Sequence, residues 1–226
     1  MQNVIVLALA WSLFGSGAHS EQQLHFATSA GTHVRVETAN GFITVTTGRA
    51  GAGVNVTVTK RADTVDGVRA LSVATQQHRN AISLRAVYPQ GCGSSCGGEI
   101  SFAVTAPPGT VLDLRTSNGQ IEATGISADA RLASSNGSVI ASYAAFTGVK
   151  QVSLTTSNGR LELSLPASSK IGRLRMETSV GRISSDWPLR VDRSSLVGAA
   201  VDQTLGPGGP SVSLTTTNGS IALKKR

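Results

Sequence analysis

Leu112-Asp-Leu-Arg-Thr-Ser-Asn-Gly-Gln-Ile121 is the stretch on which the fold turns, because its pattern returns five more times. The other copies are Val34-Arg-Val-Glu-Thr-Ala-Asn-Gly-Phe-Ile43, Ala130-Arg-Leu-Ala-Ser-Ser-Asn-Gly-Ser-Val139 and Val152-Ser-Leu-Thr-Thr-Ser-Asn-Gly-Arg-Leu161. Leu174-Arg-Met-Glu-Thr-Ser-Val-Gly-Arg-Ile183 and Val212-Ser-Leu-Thr-Thr-Thr-Asn-Gly-Ser-Ile221 complete the set. The glycine never varies (Gly41, Gly119, Gly137, Gly159, Gly181, Gly219). The asparagine before it (Asn40, Asn118, Asn136, Asn158, Asn218) is replaced once, by Val180. Two residues before that position stands Thr or Ser, and three residues after it Ile, Val or Leu.

Each part has a physical reading. Apolar residues two apart with polar ones between make a strand with one buried face. Asn–Gly tolerates positive φ and so reverses or sharply bends the chain, and the aliphatic residue beyond it resumes the inward face. The Thr or Ser just ahead can bond the turn backbone, or its counterpart in a neighbouring copy. From Asn118 the copies follow at 18, 22 and 22 residues; then 38 residues separate Val180 from Asn218, as though one copy had lost its signature or carried an insertion. A period near twenty residues fits either stacked coils or an up-and-down meander. Likeness between successive copies favours the coils, because stacking rewards identity whereas a hairpin needs complementarity.

The first half is looser. Strand-like runs fall at Val54–Lys60, Leu71–Thr75, Ala81–Tyr88 and Ile100–Thr105, with one weak helical stretch around Ala62–Ala70. This half is expected to belong to the same β-body as an irregular cap that protects one end. Aromatic residues are only 4% of the chain, while Gly is frequent at 25 residues, which suits thin, closely layered β-structure.

Val4–Phe14 is an uncharged apolar stretch followed by small residues and Ala18-His19-Ser20, which reads as a signal peptide over residues 1–20, cleaved before Glu21. The n-region Met1–Asn3 departs from the pattern in having no Lys or Arg. Residues 21–226 are expected to form one domain without a transmembrane segment, regular from about residue 105. In an exported chain the pair Cys92 and Cys96 is expected to form a disulfide that stiffens its own short loop; free thiols and metal rank below it.

The pattern at Ala103–Gly109, then at residues 112–127 (LDLRTSNGQIEATGIS) and 152–165 (VSLTTSNGRLELSL), resembles the bacterial DUF4097 family of adhesin-like proteins. That resemblance, spanning roughly Glu21 to Arg226, implies a right-handed β-helix-like solenoid in the periplasm or on the cell surface. It carries over no catalytic residues and no cofactor.

The net charge of +7 is scattered, without a basic run interleaved with aromatics, which argues against nucleic acid. It leaves an anionic glycan, peptidoglycan or an envelope protein as partner classes. A glycan-active enzyme would need clustered carboxylates; Glu122 and Glu162 share one offset in the pattern, but Ile140 holds it between them. His25 and His33 have no carboxylate or cysteine beside them, so no metal site is expected. The readings that follow are a non-enzymatic binding module, a structural envelope module without a ligand, and, last, a glycan-active enzyme. A candidate binding surface is Trp187 with Tyr143 or Phe146.

Overall fold

The strands, in chain order, are β1 (Ile5–Leu13), β2 (Ala18–Phe26), β3 (His33–Asn40), β4 (Ile43–Thr47), β5 (Val54–Ala62), β6 (Ser72–His78), β7 (Ala81–Val87) and β8 (Glu99–Ala106). They continue as β9 (Val111–Asn118), β10 (Ile121–Ile126), β11 (Ala130–Asn136), β12 (Val139–Tyr143), β13 (Gln151–Asn158) and β14 (Leu161–Leu165). The series ends with β15 (Arg173–Val180), β16 (Ile183–Ser185), β17 (Ala199–Thr204), β18 (Ser211–Asn218) and β19 (Ile221–Lys225). One short helix, α1 (Val65–Ala70), follows β5. This is a computed structural model, and it describes residues 5–13, 17–89, 98–192 and 197–226.

Each copy of the motif is one strand, a corner and a second strand, and the two strands lie in different sheets. β3, β9, β11, β13, β15 and β18 belong to a nine-stranded sheet; their partners β4, β10, β12, β14, β16 and β19 belong to a ten-stranded one. Both sheets are mixed and open, and their inward faces share one hydrophobic cluster. Within the repeats, neighbouring strands are parallel and in register: Leu112 lies beside Ala130, and Leu114 beside Leu132. On the facing sheet Ile121 lies beside Val139. Residues of one kind therefore form continuous rows, and the Val, Ile and Leu rows are buried.

The corners explain the invariant residues. Gly119 has φ +154°, and a Cβ there would stand 2.1 Å from the carbonyl oxygen of Gly41 in the adjacent unit. The same obstruction repeats down the column, so glycine is required by the neighbouring backbone as well as by its own torsion. The residue three before each of these glycines is buried and donates its hydroxyl across to the next corner. Thr116 bonds the carbonyl of Gly41 (3.1 Å), Ser134 that of Gly119 (2.9 Å), Thr156 that of Gly137 (2.9 Å) and Thr178 that of Gly219 (2.8 Å). The asparagines form a side-chain ladder, Asn118 to Asn40, Asn136 to Asn118, Asn158 to Asn136 and Asn218 to Asn158, at 2.8–2.9 Å. Asn–Gly here joins two sheets rather than closing a hairpin.

The order of neighbours departs from chain order at both ends. The last pair, β18–β19, lies between β13–β14 and β15–β16. The long interval after Val180 is thus neither a lost copy nor a loop insertion alone. The chain leaves β15–β16, forms β17 antiparallel to β15, and returns into the slot. Val180, which cannot extend an amide ladder, stands at the end of that ladder and is half exposed. At the other end β3–β4 lies between β7–β8 and β9–β10, and Tyr88 closes the ladder: its hydroxyl meets the Thr38 hydroxyl (2.8 Å) and the Asn40 carbonyl (2.8 Å).

The first half does extend the body irregularly. β1, β2, β5 and β8 run antiparallel to one another at one end of the larger sheet, and β6 pairs antiparallel with β7 at one edge of the smaller. The weak helical stretch is α1, capped by Thr64, whose hydroxyl accepts from the Gly67 amide (3.0 Å), and Val68 anchors it against Ala18 and Ala62. Residues 5–13, part of the apolar stretch read as a leader, form β1 along the edge of β2. The boundary expected after Ser20 falls inside β2. Among the described residues no helix is long and apolar enough to cross a membrane.

Candidate functional site

The outward faces of the sheets carry what the core does not use. On the nine-stranded sheet one outward row runs Arg35, Asp113, Arg131, Ser153, Ser213, Arg175 across six adjacent strands. Its ion pairs are short-range and exposed: Arg35 with Glu37 (2.5 Å) and Asp113 (3.8 Å), Arg115 with Asp113 (3.0 Å), Arg175 with Glu177 (2.9 Å). Such pairs contribute little to stability. The hydrogen bond that the Arg35 guanidinium donates to Glu37 raises it above its usual range, which keeps it a cation throughout.

On the opposite sheet Glu122, Ile140 and Glu162 do stand side by side, with the isoleucine between the carboxylates. Glu162 is held by Arg160 and by Lys224 (2.7 Å). His25 and His33 are not brought together. His25 lies in the larger sheet, bonded to Asn55 (2.8 Å), and His33 in the smaller. No group of three metal-binding side chains occurs among the described residues.

The aromatic surface expected from Trp187, Tyr143 and Phe146 does not form. Tyr143 is fully buried and Phe146 is 7% exposed; their rings meet edge to face at 5.2 Å inside the core. Tyr143 follows Val139 and Ala141 at the same parity on β12, so it must face inward as they do. Trp187 is half-buried against the core, with the Lys225 ammonium 5.2 Å from its ring centre. Cys92 and Cys96 lie outside the described residues.

A feature not evident in the sequence is a hollow of about 340 Å³ on the outer face where β6, β7, β3 and β9 adjoin. Register explains it. On β7 the outward residues Ala81 and Ser83 are small, while their neighbours are tall: His78 and Gln76 on β6, His33 and Arg35 on β3. Val111 and Asp113 of β9 line the far side. Neither imidazole has a hydrogen-bond partner among the described residues. His33 and His78 are far apart in sequence, and only the order β3–β7–β6 brings them to one hollow. A second hollow of about 300 Å³, near the other end of the sheet, has acidic walls, Glu177 and Asp192.

No family model and no curated protein matches the chain. Among solved structures it is similar to a "putative cell adhesion protein" from Clostridium sporogenes, with a TM-score of 0.63 at 12% identity over 91% of this chain and 99% of that one. It is also similar to a "putative adhesin" from Bacteroides fragilis, with a TM-score of 0.36 at 10% identity over 94% and 98% of the two chains. The overlay on the Clostridium protein speaks for a shared fold alone.

Proposed function

We propose that this chain is a non-enzymatic binding module of the bacterial cell envelope, adhesin-like, exported to the periplasm or the cell surface. The observation that carries the reading is the pair of broad outward faces. Their polar rows run over many parallel strands, and they include a ring-sized hollow whose histidines have no hydrogen-bond partner among the described residues. Repeat proteins bind through such extended faces. The description of the Clostridium neighbour as a cell adhesion protein points the same way. Against catalysis stand Ile140 between the two carboxylates, and the two basic partners that occupy Glu162.

The body is best read as a right-handed, two-sided β-solenoid with interleaved ends. Supporting this are the in-register parallel rows and the strong preference of parallel crossovers for that hand. Membership of DUF4097 rests on the spacing of the Asn–Gly units. Residues 21–226 make one domain on this reading, supported by a single main core cluster that reaches both sheets. Cleavage after Ser20 would remove β1 and leave Glu21–Phe26 of β2 paired with β5. Export would also let Cys92 and Cys96 oxidise to a disulfide.

Purified protein should be retained on whole bacterial cells, peptidoglycan or a glycan panel at physiological salt. A flat result on all three would remove the adhesin-like role and leave a structural one.

A further inference from the structure

We propose that the hollow walled by His33 and His78 is a binding site for one acidic sugar ring of a glycan; this deepens the binding-module reading and rests on it. Three observations converge. The first is shape. The wall strands β6 and β3 stand two strand spacings apart, about 9.5 Å, and the floor between them is cut down to Ala81 and Ser83. A volume of about 340 Å³ is at the small end for ligand sites, enough for a sugar-sized ring and too little for a folded segment of protein.

The second is lining chemistry. Ala81 and Val111 offer apolar contact to the C–H face of a ring, while Gln76, Ser83 and the two imidazoles offer donors and acceptors at its rim. A few polar groups around an apolar floor are how small-ligand sites fix orientation. The imidazoles have no partner within the described protein to satisfy them, so hydrogen bonds to a ligand would displace only water.

The third is charge. On these four strands and the turn joining β6 to β7 stand four arginines, Arg35, Arg79, Arg85 and Arg115, against two carboxylates, Glu37 and Asp113. Arg35 is half exposed at the hollow, and its planar fork can meet a carboxylate while it keeps its bond to Glu37. The excess of positive charge selects a carboxylate-bearing sugar over a neutral one. The opposite hollow, with acidic walls, would repel the same ligand.

The test is titration calorimetry of the full chain with trigalacturonate and with a neutral galactose trimer. The wild type should bind the acidic trimer at least about tenfold more tightly than the neutral one. Ala81→Leu fills the floor from the solvent side, and His78→Ala removes one wall. Each should weaken trigalacturonate by about tenfold or more with an unchanged melting temperature. Equal affinity for both trimers, no binding of the acidic one, or undiminished binding by Ala81→Leu overturns the proposal. Retention on cells separates the two readings. If wild type and Ala81→Leu are retained alike, the module binds through another surface and only this site falls; if neither is retained on cells, peptidoglycan or the glycan panel and no trimer binds, the binding-module reading falls with it.

Discussion

Replacing Gly137 by alanine should be among the most damaging single-methyl changes this protein can suffer. The added Cβ would stand 2.0 Å from the carbonyl oxygen of Gly119 and 2.5 Å from its carbon, both backbone atoms. Relief requires the two corners to part by roughly 1 Å, the gap to a tolerable contact. Between these corners run three hydrogen bonds: Gly119 N–H to Asn136 carbonyl, Ser134 hydroxyl to Gly119 carbonyl and Asn136 amide to Asn118, each 2.9 Å. At about 1 kcal/mol apiece, with about 1 kcal/mol for holding a non-glycine residue at a φ of +153°, the loss is about 4 kcal/mol. In a chain of this size that lowers the melting temperature by about 8–16 °C. Gly148→Ala is the control, since Gly148 has φ +82° with nothing within 4 Å of its Cβ position. It carries only the torsional cost and should lose about 2–4 °C. Thermal melts followed by circular dichroism read both. If the two variants melt together, stacking of corners is not what demands glycine.

Thr156→Val keeps shape but removes the buried hydroxyl that serves the Gly137 carbonyl, and should destabilise by about 1–2 kcal/mol in urea titration. Thr156→Ser, which retains the bond as Ser134 does in its own unit, should lose less. The Tyr143 hydroxyl is buried without a hydrogen-bond partner among the described residues, so Tyr143→Phe should leave stability equal or raised in the same assay. Burial, with a smaller contribution from Asp129, pushes the Tyr143 phenol far above its usual range. Above about pH 10 only the unfolded chain releases that proton, so stability falls by up to about 1.4 kcal/mol per pH unit. Tyr143→Phe should flatten that fall, and an unchanged slope would contradict the burial. Mass spectrometry of protein exported from a bacterial host should find Glu21 at the N-terminus; retention of residues 1–20 would refute the leader.

Much of the architecture was legible because it is written in short-range rules. Alternation at Leu112, Leu114 and Thr116, a glycine, and renewed alternation from Ile121 specify a strand, a corner and a strand. What could not be read was the order of neighbours. Five units carry the same Asn–Gly corner, so each presents a compatible edge to any other, and spacing along the chain does not rank them. The only local hint was Val180, which forbids a continued amide ladder and so belongs at an end. Tyr143 was legible and misread: its ring suggested a surface anchor, while its parity with Val139 and Ala141 placed it inside. The hollow was invisible for the opposite reason. Ala81 and Ser83 are unremarkable until β6 and β3 are known to flank them.

The interleaved ends give synthesis a direction. Of the repeat units β3–β4 emerges first, after β1 and β2, and it is flanked on both sides by units made later. β18–β19 emerges after both of the units it must separate. Until residues 211–225 arrive, β13 and β15 face each other across a vacancy one strand wide, with matching edges that invite a premature and wrong closure. The final pair is therefore a wedge. Removing β18–β19 would do more than fray a terminus: it would part the end unit, β15 to β17, from the rest of the body.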